Sequence, residues 1–313
     1  MPSDFLVHAS GRNEKRSARN SEREIRFEQT TDDLSSFVVA GRYHEAVQDL
    51  PGNQTVHVWS RAEIHSDELQ RAGESLSKTL ATYDSLFGPR GENKPPLWIV
   101  ECPSEAGCIS PRTGLYSVIL YGEGARGAAE MISRDTVLVD PRVAQGQREA
   151  IAGPALAASW LGYGQNPGFY EQQPPMSALP AFAAALARES SSGPQVRGQI
   201  IQRALAQVPG QVSRESNNDP AISRAKGILL FYALRDRVGP GNFQKALQRM
   251  LSARKGRGFD ITDLISALEA ESKQVVGPFV REWIKRPGVP EDFRTMYSQA
   301  NARQDSLVQE ATP

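Results

Sequence analysis

The chain has few of the residues on which metal and redox chemistry depend. Its 313 residues include four histidines and two cysteines, and no histidine follows His65. No apolar run is long enough to span a membrane, so we expect no transmembrane segment. Lys plus Arg and Asp plus Glu number 36 each, so no net charge favours a nucleic acid or an anionic membrane as partner. The composition predicts a soluble globular protein.

The cysteines and the N-terminus leave the cellular compartment open. Cys102 and Cys108 flank residues 103–107, a spacing that suits a small disulfide in an oxidising compartment or two thiols in the cytosol. Residues 1–10 lack a basic region followed by an apolar one, so no secretory signal is predicted. If the sequence is a piece of a longer precursor, we expect an extracytoplasmic location, in the cell envelope or secreted.

Strand patterns come first along the chain and helix patterns follow. Residues 11–25 are polar and dense in charge, which predicts a solvated loop. Runs rich in β-branched and aromatic residues predict strands within 25–30, 35–43, 55–61, 97–101, 116–121 and 136–139. Apolar periodicity predicts helices at 65–87, 145–161, 178–189, 194–207, 221–237, 241–253, 260–272 and 276–284. This order indicates an α+β fold.

Residues 150–162, AIAGPALAASWLG, form the most informative stretch because they offer no metal ligand. Zinc requires side chains with a lone pair, such as imidazole, thiolate or carboxylate, and proline and alanine have none. Pro154 also removes a helical hydrogen bond at a typical cost of about 3 kcal/mol, so we expect a kink at this position.

Several segments together resemble the gluzincin aminopeptidases, peptidase family M1, from about Arg26 to Phe293. Residues 25–43 resemble the family's junction after its N-terminal β-domain, and residues 127–131, GAAEM, resemble its G-x-M-E-N motif. Residues 225–251, with the Lys226-Gly227 pair, resemble the helices that follow its metal site. The resemblance implies a thermolysin-like module, in which a small mixed β-sheet is followed by a mostly helical half.

The resemblance also implies a division of the chain. Residues 1–50 would be a remnant of, or junction to, an N-terminal β-domain and would include the charged loop. Residues 51–145 would form the α/β half, 146–295 the helical half and 296–313 a polar tail.

Family M1 binds zinc through the motif H-E-x-x-H and a later glutamate, with the glutamate of the motif as general base. When the motif is carried over to this sequence, its two histidines correspond to Pro154 and Ala158, and its general base corresponds to Ala155. The third ligand corresponds to Ser177, and the transition-state tyrosine corresponds to Arg224. The resemblance therefore implies a degenerate site, and we expect neither zinc nor another cofactor. His44-Glu45 begins like the motif, but Gln48 takes the place of the second histidine.

One family position keeps its residue type. Glu130 matches the glutamate that pairs with the free α-amino group of a peptide substrate, and Gly127 opens the same motif. A carboxylate on an edge strand suits an ammonium group. A solvated surface glutamate is the alternative.

Three functions remain open at this point. The first is a catalytically inactive M1-like domain that acts as a binding or structural module, with peptides or a protein as partner. The second is an active zinc metallo-aminopeptidase, and the third is a receptor for peptide N-termini that uses Glu130. A nucleic-acid partner is not expected, because acidic residues alternate with basic ones in 11–25 and no aromatic residue lies between them. The oligomeric state is not predicted.

Overall fold

The structure, a computed structural model, describes residues 4–10, 12–19, 22–28, 37–89, 96–102, 129–133, 135–140, 148–161, 175–208, 219–253 and 258–297. The strands are β1 Leu6–Ala9, β2 Arg12–Arg19, β3 Glu22–Glu28, β4 Val38–Gly41, β5 His44–Leu50, β6 Gln54–Ser60, β7 Leu97–Glu101, β8 Ala129–Met131 and β9 Thr136–Val139. The helices are α1 Ser66–Phe87, α2 Arg148–Trp160, α3 Leu179–Ser192, α4 Gln195–Gln207, α5 Pro220–Val238, α6 Pro240–Ala253, α7 Ile261–Ser272 and α8 Gly277–Lys285, with a 3₁₀ turn at Met176–Ala178.

A mixed sheet in the order β5-β6-β7-β9-β8 organises the first half of the chain. Strands β6, β7 and β9 run parallel, whereas the edge strands β5 and β8 each run antiparallel to their neighbour. Successive residues of a strand project to opposite faces. Val58, Ile99 and Val137 join the core shared with the helices, while Trp59 and Val100 belong to a separate cluster on the other face. We call these the inner and outer faces of the sheet.

The helical half packs against the inner face. Helix α2 contacts α1, α3 and the strands β8 and β9, and α5 contacts α3, α4, α6 and the 3₁₀ turn. Helix α3 is rich in alanine and is buried from Leu179 to Ala187. Its small side chains let the neighbouring helices approach it closely. The predicted start of α7 is confirmed: Asp260 accepts hydrogen bonds from the backbone N–H groups of Thr262 and Asp263 in a capping box. The α+β architecture follows the predicted order of elements.

One prediction about the N-terminal region is wrong. Residues 12–19 pair with 22–28 as the antiparallel strands β2 and β3, although a solvated loop is predicted over 11–25. The predicted strand at 25–30 overlaps β3 at residues 25–28, and the register runs from Arg12 opposite Glu28 to Arg19 opposite Glu22. Strand β5, which ends at Leu50, pairs with β6 within the main sheet, and the division of the chain into four ranges stays a prediction.

A tight connection joins β5 to β6. Leu50 pairs with Gln54, so only residues 51–53 turn the chain. Gly52 and Asn53 have φ values of 79° and 55°, a conformation that glycine and asparagine adopt more readily than other residues. The predicted strand at 116–121 lies outside the described residues.

Candidate functional site

Helix α2 carries the positions that correspond to the two histidines and the general base of family M1. It runs without interruption from Arg148 to Trp160 and includes Pro154. Positions 154 and 158 are one turn apart and therefore share a face of the helix. The spacing needed for a two-ligand site is thus present, but the residue types are proline and alanine.

Helix α1 fixes the position of α2 through two hydrogen bonds. The hydroxyl of Tyr83 donates to the carbonyl oxygen of Gly153 at 2.7 Å, directly before the proline. The indole Nε1 of Trp160 donates to Asp84 Oδ1 at 3.2 Å. Tyr83 is fully buried, so this bond lies in the core and specifies how α1 meets α2.

The positions of the general base and of the second and third ligands are packed as core. Ala155 and Ala158 are 8% and 5% exposed, and the neighbouring Leu156 and Ala157 are fully buried. Ser177, the position of the third ligand, is 8% exposed within the 3₁₀ turn before α3. These three positions therefore present little surface to solvent.

The 3₁₀ turn is held against α5 by close backbone approach at Gly227. A Cβ atom at this glycine would lie 2.6 Å from the Cβ of Ala178 and 3.0 Å from the carbonyl oxygen of Pro175. Only glycine allows α5 to approach the turn so closely. The glycine of the Lys-Gly pair is thus explained by packing next to Ser177.

The lysine of the pair has a different structural role. Lys226 is 6% exposed, and its Nζ donates to the carbonyl oxygens of Ile284, at 3.3 Å, and Arg286. Burial lowers the pKa of Lys226 to about 8. The side chain therefore ties α5 to the end of α8, where the backbone carbonyls lack helical donors. Arg224, at the position of the family's tyrosine, is partly buried two residues earlier in α5.

None of the described residues form a group of three or more His, Cys, Asp or Glu side chains that could hold a metal ion. His8 and His57 stack on Trp98, which is part of the cluster on the outer face of the sheet. His44 is exposed on the edge strand β5, and His65 precedes helix α1. His44 and Gln48 lie on strand β5, where residues four apart do not converge as they do on a helix.

Glu130 lies on the edge strand β8, as the resemblance implies. Its register position is opposite Leu138, which belongs to the cluster on the outer face. The neighbouring position, Ala129, is opposite Val139, and both belong to the inner core. Position 130 is therefore in register with the row of the sheet that contains Leu138. Gly127 lies outside the described residues.

The outer face carries an aromatic and histidine cluster that local sequence patterns did not reveal. The ring of Trp98 stacks on those of His8 and His57, with centroids 4.1 and 3.9 Å away. Glu45 Oε1 lies 3.0 Å from His57 Nδ1 and accepts a hydrogen bond of 3.0 Å from Trp59 Nε1. The sheet register brings these residues together, since β5, β6 and β7 are adjacent.

A second polar cluster joins helices α3, α4 and α5. The hydroxyl of Tyr232 donates to the carboxylate of Glu189, and Arg197 donates to Asp236 Oδ2 and to the hydroxyl of Tyr297, at 2.5 and 2.7 Å. Burial raises the pKa of Glu189, and the hydrogen bond from Tyr232 opposes this rise. These groups bind one another and tie the C-terminal helical residues to the core, which indicates a structural role.

Two further observations bear on the environment of the protein. Cys102 is disulfide-bonded, and the other cysteine of the chain, Cys108, lies outside the described residues. Within the segments that the structure describes, no helix is both long and apolar enough to cross a membrane.

Comparisons with known proteins rest on structure alone. No protein-family model and no curated protein matches the chain. A mutant M1 zinc metallopeptidase from Deinococcus radiodurans is 18% identical, with a TM-score of 0.63, over 92% of this chain and 63% of the other. A two-domain M1 zinc metallopeptidase mutant bound to L-tryptophan is 18% identical, with a TM-score of 0.62, over 92% of this chain and 63% of the other. The Deinococcus mutant bound to a Tyr-Ser-Ala substrate is 19% identical, with a TM-score of 0.61, over 92% of this chain and 63% of the other.

This chain has an M1-metallopeptidase-like fold. The mixed sheet followed by a mostly helical half agrees with the fold implied by the resemblance. The chain spans less than two thirds of the length of these solved structures. At such low sequence identity the likeness shows the fold alone. The metal and the activity belong to those proteins and are not carried over to this chain.

Proposed function

We propose that this chain is a non-catalytic M1-like domain that serves as a binding or structural module. The burial of Ala155 and Ala158 within the helical core supports the proposal most directly. Hydrolysis in this fold would need a metal-bound water and a general base at these positions. Methyl groups can neither bind a metal nor accept a proton.

Two further observations support this proposal. Ser177 and Arg224 stand at the positions of the third ligand and the tyrosine, so none of the ligand, base and tyrosine positions has the family's residue type. The packing around them is nevertheless defined by Tyr83 on one side and Gly227 on the other. A frame of this kind without its reactive groups fits a binding or structural module.

Metal analysis of the purified chain tests the proposal. We expect less than stoichiometric zinc after dialysis against zinc-containing buffer, and no release of N-terminal amino acids from peptides. Stoichiometric zinc together with chelator-sensitive peptide hydrolysis would refute it. The active zinc metallo-aminopeptidase is the alternative that this result would establish, and the shared fold is the observation that favours it.

Variants with restored metal ligands test whether positions 154, 158 and 177 still converge as they do in the family. The variant Pro154→His/Ala158→His supplies two ligands, and the addition of Ser177→Glu supplies a third. If the positions converge as in the family, the three-ligand variant should bind zinc at least about tenfold more tightly than the two-ligand variant, or about 1.4 kcal/mol. Equal affinity would mean that position 177 is not placed as a ligand. Circular dichroism of both variants controls for folding.

Recognition of peptide N-termini by Glu130 is a narrower proposal for the same module. Edge strands can accept extended peptides, and a carboxylate suits a free ammonium group. The backbone register of position 130, opposite Leu138 of the outer cluster, counts against a place on the face of the sheet that α2 covers. Binding of a free peptide, lost on N-acetylation and in Glu130→Gln, would support it. Equal binding in all three cases would exclude it.

A further inference from the structure

The outer face of the sheet is covered by a ribbon made of β1 and β4, which we call the N-terminal ribbon. These strands pair antiparallel, from Leu6 with Gly41 to Ala9 with Val38. The ribbon is a two-stranded sheet of its own, and Val39 contributes to the outer cluster. Two-stranded ribbons are marginally stable in water unless they pack against something else, so the ribbon depends on its contacts with the sheet.

His8 lies at the centre of those contacts. Its ring stacks on Trp98, with centroids 4.1 Å apart, and packs edge-on against Trp59 at 6.0 Å. Phe37 approaches from the chain segment before β4, with ring centroids 5.3 Å apart. The Nε2 atom of His8 lies 2.8 Å from the hydroxyl of Thr136 on β9. One side chain thus connects the ribbon to three strands of the sheet, β6, β7 and β9.

The hydrogen bonds around His8 indicate which protonation state of its ring fits this arrangement. The hydroxyl of Thr136 donates to Asp135 Oδ1 at 3.0 Å, so it accepts from His8 and Nε2 carries the proton. Among the described residues, Nδ1 of His8 has no hydrogen-bonding partner. A second proton at Nδ1 would place a charge on a half-buried ring, among aromatic side chains and without an acceptor, which is unfavourable.

The neighbouring charges act in both directions but do not reverse this preference. Burial is the largest effect and lowers the pKa of His8 to about 4, while Asp135 favours the charged ring and His57 opposes it. On the strands beyond, His57 is paired with Glu45. Glu101 accepts hydrogen bonds from Ser60 and the Arg61 backbone.

We propose that the N-terminal ribbon is an acid-releasable cover over the outer face of the sheet. It docks while His8 is neutral and separates from the sheet when His8 gains a proton, which exposes the aromatic surface around Trp98. The device is independent of any catalytic activity, because it lies on the face of the sheet opposite to α2.

Hydrogen exchange with mass spectrometry tests this proposal. After correction for the intrinsic effect of pH on exchange, the protection of residues 6–9 and 38–41 should fall by about tenfold for each pH unit between 6.5 and 4. Residues 225–235 of α5 should keep their protection over the same range. The variant His8→Phe keeps the ring stacking and cannot titrate, and Thr136 still bonds to Asp135. Its ribbon should stay protected.

The matched control is His44→Gln, which removes an exposed histidine from β5 and should behave like the wild type. An equally steep loss of protection in His8→Phe would overturn the proposal, and so would a simultaneous loss in α5. An NMR titration of His8 in the wild-type protein gives a second test that needs no variant. A midpoint near 6.5 with the ribbon still protected would also overturn it.

Discussion

Gly227→Ala should destabilise the protein, although alanine is the better helix former. At an open position in a helix, this substitution stabilises by about 1 kcal/mol. At Gly227 the new Cβ would lie 2.6 Å from the Cβ of Ala178, whereas ordinary contact begins at 3.4 Å. The second neighbour is the backbone oxygen of Pro175 at 3.0 Å, which cannot rotate away.

The size of the effect follows from these distances. Extra atoms in a well-packed core typically cost about 1–3 kcal/mol. Both neighbours of Gly227 are rigid, so we expect the upper part of this range. After the gain in helix propensity is subtracted, the free energy of unfolding should fall by about 2 kcal/mol.

Urea unfolding followed by circular dichroism measures this change. Gly241→Ala is the matched control, because Gly241 also lies in a helix and a Cβ there would have no neighbour within 4 Å. We expect no loss of stability in the control. The double variant Gly227→Ala/Ala178→Gly removes the closest atom. It should therefore recover at least about 1 kcal/mol relative to the sum of the single changes.

Two results would refute the close approach of α5 to the 3₁₀ turn. The first is a Gly227→Ala variant as stable as Gly241→Ala. The second is strict additivity of Gly227→Ala and Ala178→Gly. Either result would also weaken the packing explanation of the Lys226-Gly227 pair.

Three further predictions concern other contacts. Tyr83→Phe should lower the free energy of unfolding by about 1–2 kcal/mol in urea titrations, because the buried carbonyl of Gly153 loses its donor; an unchanged midpoint would contradict this. Burial depresses the pKa of His8 from 6.5 to about 4, so its contribution to stability is complete above pH 6.5 and is lost as the pH falls towards 4. The wild type should thus lose about 3 kcal/mol more than His8→Phe over this range, and parallel pH profiles would exclude the effect. Cys102 is disulfide-bonded, so the unfolded, unreduced chain should resist alkylation, whereas labelling at both cysteines without reductant would contradict the bond.

The sequence predicted most of the helical half because its signals are local. Helix α7 was recognised from its cap at Asp260 and from apolar residues at a spacing of three and four. Strand β9 was predicted with its observed bounds, since Thr136–Val139 is a short β-branched run between polar residues. Strand β2 and the first residues of β3 were not predicted, because charged residues rarely indicate strands. Pairing between the two strands outweighs the weak propensity of each residue there.

The candidate site also has some features that the sequence predicts and others that it does not. The types of residue at 154, 155, 158 and 177 are written in the sequence, and the lack of metal donors follows from them alone. The close contact at Gly227 could not be predicted, because it joins segments about fifty residues apart. The stacking of His8 and His57 on Trp98 likewise depends on which strands become neighbours in the sheet.

The sequence by itself determined the α+β order of elements and the chemistry that positions 154–158 cannot perform. Both are local properties, set by side-chain type and by periodicity along one element. Only the tertiary structure decided that position 130 pairs with Leu138 in the sheet and that His8 meets Trp98 beneath the N-terminal ribbon. Strand register and ribbon docking bring together residues distant in the chain, and no local pattern specifies such contacts.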